Sequence, residues 1–337
     1  MNFDPQLSVG TAIFMSLLAA ALWGTWFISL KYLDGYPLDG FIVTLYGTSV
    51  VFVWLVGLLL EGGALPANIA DVLAIDPMRI VITLVCGVIY VVGMRFSLMV
   101  IRSIGLSLMQ PINSSLSILV GTFISAAVGG LPQGVSLDRL FLACLVLVGA
   151  VVASMLAGRF RSQRTAISPS DRKLVVTMSD MWRALGLILL SSLFVPAYPL
   201  ALSFGLRSTT QSNGLAVLPF MALLSTGAFL GALMTSGVNL TRQKQWRCVL
   251  TAPFRIHKWG IMSGLFHYGG NIIHTFATAM LSSAVSWPLG ISSGFWTQAW
   301  GIVYGEFKGA PRRANVALLV ALALYVLGAY LIADVMY

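Results

Sequence analysis

Charge is what this 337-residue chain has least of: 9% of its residues are Asp, Glu, Lys or Arg, while 58% are hydrophobic. A soluble domain carries roughly 25% charged residues. The sequence therefore excludes a soluble globular protein, and a mean hydropathy of +0.90 points to a polytopic membrane protein. Cysteine is nearly absent. Cys86, Cys144 and Cys248 are odd in number and form no C-x-x-C pair, which excludes a disulfide framework and a metal site. Histidine is as rare, with only His257, His267 and His274. The first ten residues hold Asp4 but no Lys or Arg. A signal peptide needs a basic start, so the first helix is expected to remain in place. No Asp or Glu falls in the middle of an apolar run. Catalysis needs an acid/base or metal cluster, so the chain is not expected to be an enzyme, and no cofactor is implied.

What is present is apolar run after apolar run. A bilayer core of ~30 Å takes about 20 helical residues. Ten runs meet that need: 10–30, 40–60, 79–100, 104–129, 139–158, 183–205, 213–237, 259–280, 282–305 and 314–335. Arg102-Ser103 separates the third from the fourth, and Ser282-Ser283 joins the eighth to the ninth.

A spacing occurs twice in these runs. Gly87, Gly93, Pro111 and Ser115 recur as Gly264, Gly270, Pro288 and Ser292, shifted by 177 positions. Leu17 to Leu22 has a weaker echo in Leu189 to Phe194, shifted by 172. The expected fold is all-α, with ten transmembrane helices in two five-helix repeats. Residues 1–158 form the first repeat, 159–182 a polar cytoplasmic linker, and 183–337 the second. Five is odd, so the second repeat enters the bilayer upside down. Repeats of this kind are the signature of solute transporters, whose sites lie at the repeat interface.

The net charge of +9 reads as basic loops rather than nucleic-acid binding. Sixteen of the twenty Lys and Arg fall on one side of the ten spans and three on the other; Arg95 lies within a span. Basic loops stay in the cytoplasm, which puts both termini outside the cytoplasm in an inner or plasma membrane.

Polar groups inside a bilayer need a reason. His267, Asn271 and His274 are spaced by four and three, on one face of the eighth helix. That stripe suits hydrogen bonds to a polar solute, and the two histidines are the candidates for carrying a coupled proton. Helix gluing explains the stripe as well. Asn113 beside Pro111, and Trp287 and Gln298 around Pro288, sit where proline frees a backbone carbonyl. Trp23 and Trp26 lie too deep in the first helix to be interface anchors, and offer faces for a sugar or a planar ring. Packing is the alternative. Arg95 is read as snorkelling or making a structural bond. Glu306 is expected to cap its helix or pair with Lys308, Arg312 or Arg313. The absence of a mid-span carboxylate disfavours an exporter of aromatic cations.

Three strings carry a family resemblance. Gly105-Leu106-Ser107-Leu108 leads to Val120-Gly121-Thr122; Trp300-Gly301 leads through Gly305-Glu306-Phe307-Lys308 to Arg312-Arg313; and Gly24-Thr25-Trp26 precedes Leu30-Lys31. The chain thereby resembles the drug/metabolite transporter superfamily, in particular its rhamnose–proton symporter, glucose-uptake and ureide permease group. The resemblance implies secondary uptake of a small polar solute, a sugar or a ureide/purine-like compound, often with protons. It also implies a cavity lined by the first, third, fourth, sixth, eighth and ninth helices. The eighth helix departs from the rhamnose symporters, so a substrate is not carried over. An exporter of metabolites or drugs with the same fold is the alternative.

Overall fold

The computed structural model describes residues 7–33, 35–104, 106–165 and 178–337, and the side chains among them outside 101–113 and 162–185. Helix α1 spans Val9–Thr25. Ser8 starts it, accepting the backbone N–H of Thr11 at 3.1 Å, as an N-cap does. It tightens into 3-10 turns at Trp26–Tyr32. Then follow α2 (Leu38–Glu61), α3 (Ala64–Ile75), α4 (Pro77–Ile104), α5 (Leu106–Gly129), α6 (Leu137–Thr165), α7 (Met178–Phe194) and α8 (Ala197–Gly205). The remainder are α9 (Val217–Ala232), a π turn at Leu233–Gly237, α10 (Val238–Arg242), α11 (Trp246–Leu250), α12 (Phe254–Leu281), α13 (Ser283–Ile291), α14 (Gly294–Val303) and α15 (Arg312–Asp334). Among the described residues there is no strand, only two isolated bridges in the loop between α8 and α9.

Seven helical stretches are long and apolar enough to cross a membrane by length and composition. The chain is thus an all-α, multi-pass membrane protein. Helix α12 has 28 residues, but its histidines, asparagine and glycines dilute its hydropathy. Helix α3 has no counterpart among the ten expected runs; it is a short surface helix exposing Leu73 and Ile75. The run 282–305 is not one helix but two, α13 and α14. Helix α13 passes through Pro288, and the break comes at Ser292-Ser293, whose N–H groups turn back to Leu289 and Gly290. Helix α6 continues to Thr165, into the expected linker; residues 166–177 of that linker lie outside the described residues.

Helices α4 and α12 are the packing centres. Helix α12 lies against α1, α2 and α13, and α4 against α9, α7 and α8. Glycine makes this closeness possible. A Cβ on Gly264 would sit 2.6 Å from the carbonyl oxygen of Leu45 in α2, and one on Gly87 2.5 Å from that of Leu224 in α9. A Cβ on Gly270 would meet the Trp23 ring at 2.8 Å, and one on Gly93 would meet Phe194 Cβ at 2.8 Å. Small residues let membrane helices approach to backbone distance. Helix α15 packs on α6, and its outward side exposes Leu319, Val326 and Tyr330. An apolar outer face is the condition for contact with lipid.

Asp39, in the first turn of α2, holds an ion pair to Arg95 within α4. Arg95 donates to Asp39 through Nε at 2.8 Å and through a terminal nitrogen at 3.3 Å. Ser236 and Asn239 complete the carboxylate's partners, each at 2.6 Å. Arg95 therefore makes a structural bond within the bundle.

Candidate functional site

A cavity of about 70 Å³ lies where α1, α4, α5, α8, α12 and α13 converge. Trp23, Trp26, Tyr90, Tyr198, His267 and Trp287 line it. Phe27 and Ser114 belong to its wall and also to that of a larger vestibule of about 300 Å³. The vestibule runs toward the ends of α1, α6 and α14, where Lys31, Arg161 and Glu306 line it.

The two α1 tryptophans are held differently. The Trp26 ring is stacked on the His267 imidazole, with centroids 5.0 Å apart and planes 7° apart. Phe27 stacks on it as well, at 3.9 Å. Trp26 is thus stacked against two rings of the protein. Trp23 donates its indole N–H to Asn271 Oδ1 at 2.9 Å and to the His267 carbonyl at 3.3 Å. Its ring fills the space left by Gly270 and Gly290; a Cβ on the latter would come within 2.5 Å of it. Trp287 donates to the Ser117 carbonyl at 2.8 Å, locking α13 onto α5.

The histidines of α12 face different neighbours. His267 Nε2 lies 2.9 Å from the Tyr90 hydroxyl. His274 Nε2 lies 3.0 Å from the Ser286 carbonyl oxygen. A carbonyl only accepts, so Nε2 carries the proton in the neutral ring and Nδ1 is an acceptor. The Tyr198 hydroxyl, 3.3 Å from that Nδ1, can donate to it. Nδ1 of His267 and Nδ2 of Asn271 are among the buried polar atoms that have no hydrogen-bond partner among the described residues. Buried polar atoms of this kind are rare and costly unless something completes them.

Of the residues picked from the sequence, Trp23, Trp26, His267 and Trp287 share one cavity wall. Asn271 and His274 stand behind it, holding Trp23 and the α13 backbone. Gln298 lines the vestibule instead. Asn113 lies outside the described side chains. Tyr90 went unread, although the offset of 177 carries it onto His267. Tyr198, Ser114 and Ser117 are further wall residues without a sequence motif of their own.

Glu306 does not use the neighbours expected of it. Its two carboxylate oxygens take Lys31 and Arg161, from the ends of α1 and α6. Tyr32 and Tyr304 are joined at 2.9 Å beside this cluster. Burial alone would raise the Glu306 carboxyl above its ordinary value; the bonds and charges of Lys31 and Arg161 outweigh that and hold it below. Among the described residues no cluster of His, Cys, Asp or Glu is arranged to hold a metal.

A scan against protein-family models finds none that matches this chain, and a search of curated proteins finds no match to it.

Proposed function

We propose that this chain is a secondary transporter of ten membrane helices in two inverted five-helix repeats, working by alternating access. One observation carries this reading. Tyr90 and His267 stand 177 positions apart and meet at 2.9 Å. Equivalent residues of two repeats touch only where a twofold axis passes between them. Trp54 and Thr226 meet at 2.9 Å in the same way, 172 positions apart. These are the offsets read from the glycines and prolines.

The glycines support it independently. Gly87 presses on α9 as Gly264 presses on α2, and Gly93 on Phe194-Val195 as Gly270 on Leu22-Trp23. Helix α1 lies on α12 as α7 and α8 lie on α4, and α2 on α12 as α9 on α4. Exchanging the halves preserves each of these pairings.

A small cavity beside such an axis is where transporters of this kind bind. The walls favour a small, neutral, flat solute: aromatic edges all round, hydrogen-bonding tyrosines and histidine, and no carboxylate. A sugar or a ureide/purine-like ring fits that chemistry. Protons are the proposed coupling ion, with His267 and His274 as carriers. With the basic loops in the cytoplasm, both termini lie outside it and the vestibule faces the cytoplasm. The experiment is a thermal-shift screen of the purified protein against sugars, ureides, nucleobases and quaternary amines, followed by counterflow in proteoliposomes with each hit. Binding stabilises the folded form by mass action. A stabilising ligand that also exchanges across the membrane supports the reading; no stabilisation by any class sinks it.

A further inference from the structure

The two ends of the seam between the halves are built differently. At the end of α5 and α8, a Cβ on Gly129 would lie 3.0 Å from Ser203 Cβ. Backbone meets backbone there. The closure extends inward: Ser125 and Ser283 hydroxyls are 2.9 Å apart, and Ser283 donates to the Pro199 carbonyl at 3.2 Å. The Thr209 N–H reaches the Ala279 carbonyl at 2.9 Å across the same end. At the other end lies the vestibule of about 300 Å³, and among the described residues it is the long side chains of Lys31, Arg161 and Glu306, with the Tyr32–Tyr304 hydroxyl pair, that reach across it.

The offsets connect these two places. Adding 172 to Lys31 gives Ser203, and subtracting 177 from Glu306 gives Gly129. The pair that touches at the shut end is thus the counterpart of the pair that spans the open end. We propose that Gly129–Ser203 and Lys31–Glu306 are the two gates of the molecule, the first shut and the second open in this conformer, and that each closes only when the other parts. The inference rests on the alternating-access reading above.

Chemistry suits each gate to its state. Gly129 and Ser203 seal by contact, which any added side-chain volume opposes. The Glu306 cluster is partly exposed, with Lys31 45% accessible and Glu306 33%. Exposed ion pairs are weak and screened by salt. They tether the open mouth without fixing it, and yield when the helix ends draw together.

The test labels one engineered thiol. Cys248 is exposed while Cys86 and Cys144 are buried, so C248S gives a quiet background. Thr297 lines the vestibule. T297C in oriented vesicles should react readily with a membrane-impermeant maleimide from the Lys31 side. Enlarging the far gate, by G129A and then G129V, should slow that reaction stepwise, by about fivefold or more for valine as the population shifts. The residues are at opposite ends of the bundle, so only coupled gates transmit the change. An unchanged T297C rate in a well-folded G129V protein overturns the proposal. If G129V does not fold, S203V adds volume from the other partner of the same contact, and the T297C rate should again fall. An unchanged T297C rate in a well-folded S203V protein overturns it. Neither readout involves a solute, so coupled gates without any transported compound would leave this inference standing and the transport reading alone in default.

Discussion

The Tyr90 hydroxyl and His267 Nε2 lie 2.9 Å apart at the centre of the bundle. Both residues are buried, at 7% and 2% exposure, and the other ring nitrogen of His267 has no partner among the described residues. Removing the hydroxyl by Y90F leaves the imidazole with neither nitrogen bonded. A buried polar group left unpaired costs about 1–3 kcal/mol. Y90F should lower the melting temperature of the detergent-purified protein, and Y90F/H267L should be less destabilised than the sum of the single variants. Additive losses would mean that the two groups do not interact.

The ring of Trp23 is held by the absence of two side chains. G290A puts a methyl group 2.5 Å from the ring, and the ring is also bonded to Asn271. Overpacking of this kind costs about 1–3 kcal/mol. G290A should destabilise the protein and change its near-ultraviolet circular dichroism, the signal of fixed tryptophans. G269A is the control, since a Cβ on Gly269 meets nothing within 4 Å. Equal effects in the two variants would contradict the wedge.

The His274 ring bridges α12 to the Ser286 carbonyl of α13. H274A removes the donor and leaves a cavity; H274Q keeps an N–H donor of similar reach. H274Q should recover most of the thermal stability that H274A loses, about 1–3 kcal/mol for the buried carbonyl. If uptake of an identified solute falls equally in both while stability recovers, the ring itself serves transport. If uptake follows stability, His274 acts by holding α13.

Parts of this arrangement can be read from the chain because they are local. Trp23 and Trp26 share a turn, and His267, Asn271 and His274 share a helix face, so spacing alone groups them. The glycine and proline offsets need only counting along the chain. Tyr90 sits among Val88, Ile89, Val91 and Val92 and looks like one more apolar position; only its distant partner distinguishes it. Glu306 has basic neighbours two and six residues on, but its partners are 275 and 145 residues away. Folding, not spacing, selects them. Helix α3 is too short to register as a span, and the break at Ser292-Ser293 follows a proline that the helix tolerates.

Acid should release the Glu306 cluster. Its folded carboxyl titrates below the ordinary 4.5 because Lys31 and Arg161 outweigh the effect of burial. A depressed carboxylate stabilises fully above the unfolded value and loses that contribution as pH falls through the folded one. The gap in melting temperature between the wild type and E306Q should therefore be constant above about pH 5 and close as the pH drops below 4.5. Added salt should narrow the same gap at neutral pH, since the pairs are partly exposed. A gap that persists undiminished into acid would rule out the ion cluster as its source.

The Asp39 cluster should respond asymmetrically to loss of its two halves. Asp39 accepts from Arg95, Ser236 and Asn239, all within 3.3 Å. Ser236 belongs to the π turn and Asn239 to α10, three positions on, so one carboxylate ties α2, α4 and the wide turn together. In R95M the carboxylate keeps two neutral donors. In D39L the guanidinium, whose side chain is 18% exposed, loses its only ion-pair partner among the described residues, and both neutral donors lose their acceptor. Stranding a buried charge costs about 3–5 kcal/mol. D39L should therefore be the more damaging variant by thermal denaturation, and D39L/R95M should recover much of the difference because no charge is left unpaired. A double variant as unstable as the sum of its parts would show that the network holds the fold by its hydrogen bonds to Ser236 and Asn239 rather than by its charges.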